Sequence, residues 1–402
     1  MRTALLCLLA LIPIRATAQE VFELVESAPV ETVLDHPDIR DAWQVWPQMI
    51  DGAKKTLDFA EFYASDDPDH PDSRLVPVIR AVERAAARGV KVRFLAEKIY
   101  QKTYPEILAG LAAKGVDVRI YDFGALGGGV LHAKYFLVDG REVYVGSQNF
   151  DWRSLAHIQE LGARVIEPSV AHAFSDVFET DWTLADPAGT GDRRFRAKPG
   201  EDLFPAQVGD SPDAPRVTPV FSPEKWLPDG TLWDLPRLVQ MIDQARSTVR
   251  VQLLTYKPSS RDGSYFDTLD AALRRAAHRG VKVQLLLADW SKSKGTIEGL
   301  QSLQVVPGID VRLNTIPQWS GGFVPFARVG HAKYMIVDGR RAWIGTGNWE
   351  GDYFTASRNA GLIVESPAVG ERLDRYFADA WGSPYAYEVD PCATYEPPRV
   401  AE

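Results

Sequence analysis

A nine-residue motif occurs twice in this chain of 402 residues, and it constrains the fold more strongly than any other feature. The segment 132–140 has the sequence HAKYFLVDG and the segment 331–339 has HAKYMIVDG, so His, Lys and Asp recur at the same spacing. Asn149 and Asn348 each follow the motif histidine by 17 positions. Two copies of a long motif in one chain indicate a duplicated domain whose halves can bring the motifs together.

The duplication extends well beyond the motif. The segment QMID occurs at 48–51 and 240–243, and AAARGVKV at 85–92 returns as AAHRGVKV at 276–283. In each half, apolar runs alternate with amphipathic stretches, the pattern of strands alternating with helices. The sequence therefore predicts an α/β fold with two duplicated lobes, each a mixed β-sheet flanked by helices. We expect a pseudo-twofold relation between the lobes, with the active site between them.

Composition suggests boundaries along the chain. Residues 1–18 contain an early arginine, a short apolar core and small residues before position 19, which predicts a cleaved signal peptide. The other predicted segments are an N-terminal lobe at 19–185, a Pro-, Gly- and Asp-rich linker at 186–230, a C-terminal lobe at 231–390 and a tail at 391–402. No apolar run is long enough to span a bilayer, so we predict a secreted or periplasmic protein without a transmembrane segment.

Charge and cysteine content restrict the partners. A formal net charge of −9 repels long nucleic acid, because phosphate binding depends on Lys and Arg. A nucleic-acid substrate must then be short or be held in a local positive channel. Cleavage of the predicted signal would leave Cys392 as a lone thiol and exclude an internal disulfide. Since one chain carries both motifs, a monomer suffices for a complete site, with a dimer as the alternative, and we expect no obligate protein partner.

The residue types in the motif suit cleavage of a phosphodiester without a metal or other cofactor. His and Lys are two positions apart, so on a strand both side chains face the same side. We expect Lys134 and Lys333 to hold the non-bridging oxygens. One of His132 and His331 would attack phosphorus and form a phosphohistidine, and the other would protonate the leaving oxygen. A metal site fits poorly, because each histidine stands beside a lysine and further His or Cys residues at zinc spacing are missing.

Polar residues after each motif complete the predicted site. Hydrogen bonds to the phosphate are expected from Ser147, Thr346, Asn149 and Asn348. The position 28 residues after the histidine is Glu160 in the first half and Asn359, a further substrate-binding candidate, in the second. A carboxylate on the far nitrogen of a histidine fixes its tautomer and makes it more basic. We predict that the Glu160-paired histidine is the nucleophile; sequence leaves open whether that is His132 or His331.

Three more residues receive an interpretation from their neighbours. Asp139 and Asp338 precede glycine, and Asp-Gly is ordinary turn chemistry, so we interpret both as structural. Trp349 follows Asn348 and could flank the pocket and stack on a base or an acyl chain, although we favour packing in the core.

These residues resemble the two HxKxxxxD motifs of the phospholipase D superfamily. The matching residues are His132, Lys134 and Asp139, then His331, Lys333 and Asp338, with Asn149 and Asn348 in the extended pattern. The chain is most similar to the lysosomal branch known as phospholipases D three and four, notably in the segments 57–63, 146–162 and 345–349. It differs from that branch in lacking Asn-x-Ser/Thr sites and a disulfide partner and in keeping Asp338.

The resemblance implies an activity and a substrate. That branch is associated with five-prime exonuclease action on single-stranded DNA and RNA, and with lipid transphosphatidylation that makes bis(monoacylglycero)phosphate. We therefore predict an exported, metal-independent phosphodiesterase that is a five-prime exonuclease on single strands. The alternative is a phospholipase D or transphosphatidylase that acts on phospholipid head groups.

Overall fold

The computed structural model describes residues 21–67, 70, 73–186, 203–259 and 264–401. The predicted signal peptide at 1–18 lies outside the described residues. Within the described ranges, no helix has the length and apolar character that crossing a membrane requires.

The first half builds an eight-stranded sheet with helices on both faces. Its strands are β1 (Phe22–Ser27), β2 (Arg40–Asp41), β3 (Thr56–Glu61), β4 (Ala64–Ser65), β5 (Lys91–Glu97), β6 (Asp117–Tyr121), β7 (Tyr135–Val138), β8 (Glu142–Gly146), β9 (Phe150–Asp151) and β10 (Glu160–Ile166). Its helices are α1 (Ala42–Gly52), α2 (Val76–Ala87), α3 (Glu106–Ala113), α4 (Phe123–Gly127), α5 (Trp152–Ala156) and α6 (Pro168–Leu184). The sheet order is β2-β1-β10-β8-β7-β3-β5-β6, and β4 pairs with β9 outside it.

The second half repeats this plan with nine strands in its sheet. Its strands are β11 (Ala206–Gln207), β12 (Arg216–Ser222), β13 (Thr248–Leu253), β14 (Tyr256–Lys257), β15 (Lys282–Ala288), β16 (Ile309–Asn314), β17 (Tyr334–Val337), β18 (Arg341–Gly345), β19 (Trp349–Glu350), β20 (Asn359–Glu365) and β21 (Ala386–Glu388). Its helices are α7 (Asp234–Asp243), α8 (Thr268–His278), α9 (Ile297–Gln304), α10 (Gly351–Thr355) and α11 (Pro367–Gly382). The sheet order is β11-β12-β20-β18-β17-β13-β15-β16-β21.

The two sheets confirm the predicted mixed α/β duplication. In the first, β3, β5 and β6 are parallel and β7 runs antiparallel to β3. In the second, β13, β15 and β16 are parallel and β17 runs antiparallel to β13. The apolar side chains of α2 and α8 are buried on the outer faces of their sheets. Both helices are followed by a glycine at positive φ, Gly89 and Gly280, a conformation that glycine adopts without strain.

A shared core joins the two sheets. It contains apolar residues of β7, β8 and β10 from the first half and of β17, β18 and β20 from the second, with α6 and α11 among them. The outer cores, by contrast, each contain mainly residues of one half. The halves are therefore packed against each other through the same faces of equivalent strands, which is the geometry that a pseudo-twofold relation requires.

Part of the segment 186–230, expected to be a linker, forms strands of the second sheet. β12 pairs with β20 from Arg216 to Ser222. Pro219 obscured this strand in the sequence, because proline cannot donate to a ladder and is confined to edges. β11 covers only Arg216 and Val217 of β12, so the remainder of β12 lies close to the edge, where proline is tolerated. The other predicted boundaries stay predictions.

Candidate active site

Reciprocal backbone hydrogen bonds hold each motif histidine against the opposite half. The N–H of His132 donates to the carbonyl of Arg358 at 2.9 Å, and Arg358 returns a bond to Val130 at 2.9 Å. The N–H of His331 donates to the carbonyl of Gln159 at 2.8 Å. Asn359 follows the acceptor Arg358, and Glu160 follows the acceptor Gln159. These backbone bonds between the halves therefore place the side chains of Asn359 and Glu160 beside the histidines of the opposite half.

Glu160 contacts His331, which answers the question that the sequence left open. Its Oε2 lies 2.7 Å from His331 Nδ1, and its Oε1 accepts a 2.5 Å bond from Ser154 Oγ. Ser154 Oγ also accepts the backbone N–H of Asn149 at 3.0 Å. The carboxylate is fully buried. Because it can only accept, His331 carries its proton on Nδ1 and keeps the Nε2 lone pair for chemistry.

Asn359 occupies the equivalent place beside His132. Its Oδ1 lies 3.0 Å from His132 Nδ1 and accepts the Thr346 hydroxyl at 3.0 Å, while its amide nitrogen donates to the Tyr353 carbonyl at 2.8 Å. This orientation makes the oxygen the acceptor, so His132 also carries its proton on Nδ1. The Tyr353 ring stands edge-on to His132 at 4.9 Å, and its hydroxyl accepts a 3.4 Å bond from Asn348.

The two motif lysines are buried with the histidines. The Nζ atoms of Lys134 and Lys333 donate to the carbonyls of His132 and His331, both at 2.6 Å. Burial, together with the charge of Lys333, holds the pKa of Lys134 well below its usual range. Burial lowers the pKa of Lys333 to about 7, although Glu160 acts in the opposite direction. The charged forms of both lysines are thus disfavoured by burial in the free protein, and a bound anion would stabilise them.

Both histidines are neutral in the free protein near pH 7. Burial, reinforced by the charges of Lys134 and Lys333, holds the pKa of His132 well below its ordinary value. Burial lowers the pKa of His331 to about 4, although the Glu160 carboxylate opposes it. The charges of Lys134, Lys333 and His331 all contribute to the lowered pKa of His132, so the side chains of the two motifs lie close to one another. Neutral imidazole is the form that can attack an electrophile.

Three predicted ligand residues make contacts within the protein. The hydroxyl of Ser147 bonds the backbone of Leu161, the residue after Glu160, and the hydroxyl of Thr346 bonds Asn359. Both side chains are buried, and both hydroxyls hold a neighbouring strand in place. Trp349 is 1% exposed and packs in the outer core of the second half, beside Trp343. Its indole therefore has no free face for a base or an acyl chain.

The motif aspartates act at the turns and not in the pocket. Asp139 has φ of +52°, and its carboxylate accepts the backbone N–H groups of Lys54, Lys55 and Thr56 at 2.7–3.2 Å. Asp338 repeats this with the segment 246–248. Each aspartate thereby ties the hairpin after the motif to the start of the central parallel strand.

Sequence inspection missed two aromatic residues that contact the motif. The Phe62 ring lies 4.8 Å from the His132 ring, and Lys134 Nζ lies 4.8 Å from the Phe62 ring centre. The second is Tyr353, described above. A closer comparison of the halves could have found it, because Tyr353 stands 199 residues after Ser154, the same offset that separates the motif histidines. Among the described residues, no group of three or more His, Cys, Asp or Glu side chains could hold a metal ion.

Comparison with known proteins agrees with the duplicated site. Residues 47–182 and 238–381 each match the family described as Cardiolipin synthase, PLD-like domain, so each match contains one motif. The 5'-3' exonuclease PLD3 of Bos taurus is 32% identical over 400 residues, which cover 92% of this chain and 81% of that protein. The 5'-3' exonuclease PLD4 of Mus musculus is 31% identical over 402 residues, covering 91% and 79%.

Solved structures share the architecture at much lower identity. Phosphatidylserine synthase from Haemophilus influenzae superposes with a TM-score of 0.60 at 13% identity, covering 94% of this chain and 90% of the synthase. Polyphosphate kinase from Porphyromonas gingivalis superposes with a TM-score of 0.56 at 12% identity, covering 92% and 48%. At these identities the likeness establishes the fold alone. Taken with the two family matches and the sequence relatives, it shows that the chain belongs to the phospholipase D superfamily of phosphodiesterases.

Proposed function

We propose that this protein is an exported, metal-independent five-prime exonuclease that cleaves single-stranded nucleic acid through a phosphohistidine. The observation that supports the chemistry is the cross-paired site, in which Glu160 and Asn359 orient His331 and His132 beside two buried lysines. The choice of substrate is supported by the relatives named 5'-3' exonucleases. Export is supported by the signal-like composition of residues 1–18.

In the first step, Nε2 of His331 bonds to phosphorus in line with the departing oxygen, and the phosphorus–oxygen bond breaks. The Glu160 carboxylate stabilises the positive charge that the imidazole acquires. Substrate binding brings a negative charge next to His132 and raises its proton affinity, so His132 takes up a proton from solvent on Nε2 and donates it to the leaving oxygen. Lys134 and Lys333 neutralise the non-bridging oxygens as charge develops on them.

In the second step, water replaces the nucleic-acid oxygen. His132, now neutral, accepts a proton from water as its oxygen bonds to phosphorus, and the bond from phosphorus to His331 breaks. The products are a phosphomonoester and an alcohol, and the histidines return to their starting forms. Both steps use the same in-line geometry, so one arrangement of side chains serves for bond making and bond breaking.

The substrate assignment is tested with two assays in parallel. Purified protein is incubated with a fluorescent single-stranded oligonucleotide that has a free 5' end, and with vesicles of phosphatidylcholine and phosphatidylglycerol. We expect stepwise shortening of the oligonucleotide and intact lipid. Lipid turnover with an untouched oligonucleotide would make the protein a phospholipase D or transphosphatidylase instead.

Glu160→Gln is expected to lower kcat by roughly 10²-fold or more, since removing a histidine's carboxylate partner costs up to about 10⁴-fold in a comparable triad. Asn359→Ala should cost less, because Asn359 supplies no charge. The acid limb of the kcat/KM profile should also move to lower pH in Glu160→Gln. The carboxylate favours protonated His331, so its removal lets the neutral nucleophile persist at lower pH. Equal losses in the two variants would refute the unequal roles of the histidines.

Full activity is expected in excess EDTA. The anion is neutralised by Lys134 and Lys333, and their positive charges repel a cation from the same volume. The measurement is the initial rate on oligonucleotide before and after dialysis against chelator. Loss of activity that Mg²⁺ or Zn²⁺ restores would contradict the mechanism, whereas loss that no ion restores would indicate denaturation and require a circular dichroism control.

A further inference from the structure

A row of aromatic rings leads outward from His132 along the first half. The Phe62 ring lies 4.8 Å from His132 and 4.9 Å from Tyr100. Tyr63 lies 4.9 Å from Tyr100 and 5.4 Å from Tyr104, and the rings of Tyr100 and Tyr104 are 24° from parallel at 5.9 Å. We call Phe62, Tyr63, Tyr100 and Tyr104 the aromatic row. All four are half-buried, so each presents part of its surface to solvent while the motif side chains are buried.

Among the described residues, the equivalent positions of the second half carry fewer aromatic rings. Tyr100 belongs to a 3₁₀ turn, Lys98–Tyr100, that follows β5, and the equivalent turn after β15, Asp289–Lys292, has the sequence DWSK. Phe62 follows β3 directly, whereas Leu254 follows β13. Features that the duplicated fold itself requires, such as the turn aspartates, recur in both halves. Because the full row does not recur among the described residues, the duplicated fold alone does not require it.

Positive groups stand at both ends of the row. Lys134 Nζ lies 4.8 Å from the centre of the Phe62 ring at the inner end. At the outer end, the Arg153 guanidinium lies 5.7 Å from the Tyr104 ring and donates to its hydroxyl at 3.4 Å. Asp151 holds this guanidinium by side-chain hydrogen bonds of 2.5–3.1 Å. Bases can stack on the flat faces of such rings, and phosphates can approach nearby cations.

The chemistry of the row favours nucleobases over acyl chains. A base has a flat π-face and stacks on a tyrosine ring whatever its identity. An acyl chain has no such face, and binding it here would remove water from the tyrosine hydroxyls without providing a partner. In a duplex, both faces of each base are already stacked on neighbouring pairs, so only an unpaired strand can use the rings.

We propose that the aromatic row binds the nucleobases next to the reacting phosphate and thereby makes single strands the preferred substrate. This inference rests on the proposed nuclease function and adds to it the groups that select the strand. Tyr100 and Tyr104 supply stacking surface beyond the catalytic pocket, and Phe62 and Tyr63 continue that surface inward to His132.

The experiment combines changes in the protein with changes in the substrate. Tyr100→Leu and Tyr104→Leu are compared with the conservative variant Tyr100→Phe on two oligonucleotides. One is an ordinary single strand, and the other carries abasic spacers next to the scissile phosphate. For the ordinary strand, each leucine variant should raise KM about tenfold, with kcat nearly unchanged, and Tyr100→Phe should keep most of the binding. For the spacer strand, the wild-type KM should already be raised, and leucine should raise it little further.

Two outcomes would overturn the inference. If the leucine variants raise KM equally for both strands, the rings have a structural role only. If the variants leave KM unchanged for both strands, the rings have no role in binding. In both cases, cleavage of the ordinary strand by the wild type would leave the proposed function intact. If the wild type cleaves no strand but acts on phosphatidylglycerol vesicles, the proposed function itself has failed, and the inference fails with it. Thermal unfolding by circular dichroism verifies that each variant is folded.

Discussion

His331→Ala should abolish cleavage of every phosphodiester, whereas His132→Ala should remain competent for one step when the leaving group needs no proton. Loss of the nucleophile removes the covalent route, with an expected drop of about 10³-fold or more in kcat. Loss of the general acid costs about 10²–10⁴-fold when an alkoxide must leave, but little when p-nitrophenolate leaves. The suitable substrate is a nucleoside p-nitrophenyl phosphodiester, followed by stopped-flow absorbance.

The His132→Ala variant should give a burst of one p-nitrophenolate per site, followed by slow turnover. His132 is also the proposed base for water, so the second step stalls and the nucleotidyl group accumulates on His331. Intact-mass spectrometry without acid exposure should find the adduct, and peptide mapping should place it on His331. The matched control is His172→Ala, an exposed histidine on α6, which should behave as wild type.

The opposite pattern would be equally informative. A burst in His331→Ala with the adduct on His132 would exchange the roles of the two histidines. It would also mean that Glu160 supports the acid and not the nucleophile. A burst in neither variant, together with the absence of any adduct in the wild type, would refute the phosphohistidine.

Arg358→Ala is expected to lower the free energy of unfolding by about 3–5 kcal/mol, the usual result of breaking a buried ion pair on one side. Both partners are fully buried: the guanidinium donates to Asp181 at 2.8 and 2.9 Å and to the carbonyls of Ser222 and Trp226 at 3.0 and 2.8 Å. Removing it leaves the Asp181 carboxylate uncompensated in the core. Urea unfolding followed by tryptophan fluorescence measures the loss.

The location of the pair adds a functional consequence. Asp181 lies on α6 of the first half and Arg358 precedes β20 of the second, and the carbonyl of Arg358 receives the N–H of His132. The variant should therefore lose activity at denaturant concentrations well below those that affect the wild type. Arg84→Ala, which breaks an exposed pair with Asp51, is the control and should cost about 0–1 kcal/mol. A loss below about 1 kcal/mol for Arg358→Ala would show that the core accommodates the lone carboxylate.

Periodicity and the repeated motif were sufficient to predict the duplicated α/β lobes, because strands and helices depend on local patterns. The placement of Glu160 against His331 could not be predicted. The two residues are 171 positions apart, and their contact depends on how one lobe packs on the other. The hydrogen bonds of the Ser147 and Thr346 hydroxyls could not be predicted for a related reason. A hydroxyl beside a pocket can serve a ligand or the neighbouring strand, and here each satisfies a backbone N–H of the strand beside it.

Two other features of the structure need separate explanations. Asn348 lies beside Trp349 in the sequence, but the Trp349 side chain packs in the outer core of the second half. β12 was not predicted because it contains Pro219, so the second sheet begins earlier in the chain than expected. The aromatic row escaped notice because Phe62 and Tyr100 are 38 positions apart in the sequence, and only the parallel pairing of β3 with β5 brings them together.

The presence of both halves in one chain has a consequence for the symmetry of the site. In a symmetric pair of identical chains, any substitution alters both copies of a site, so the two imidazoles would be obliged to keep identical surroundings. Covalent fusion removes that obligation. One half has a carboxylate at Glu160, and the equivalent position of the other half has the uncharged Asn359. Joining the two halves in one polypeptide therefore allows a twofold arrangement to carry two histidines with different surroundings, one for each role in the proposed reaction.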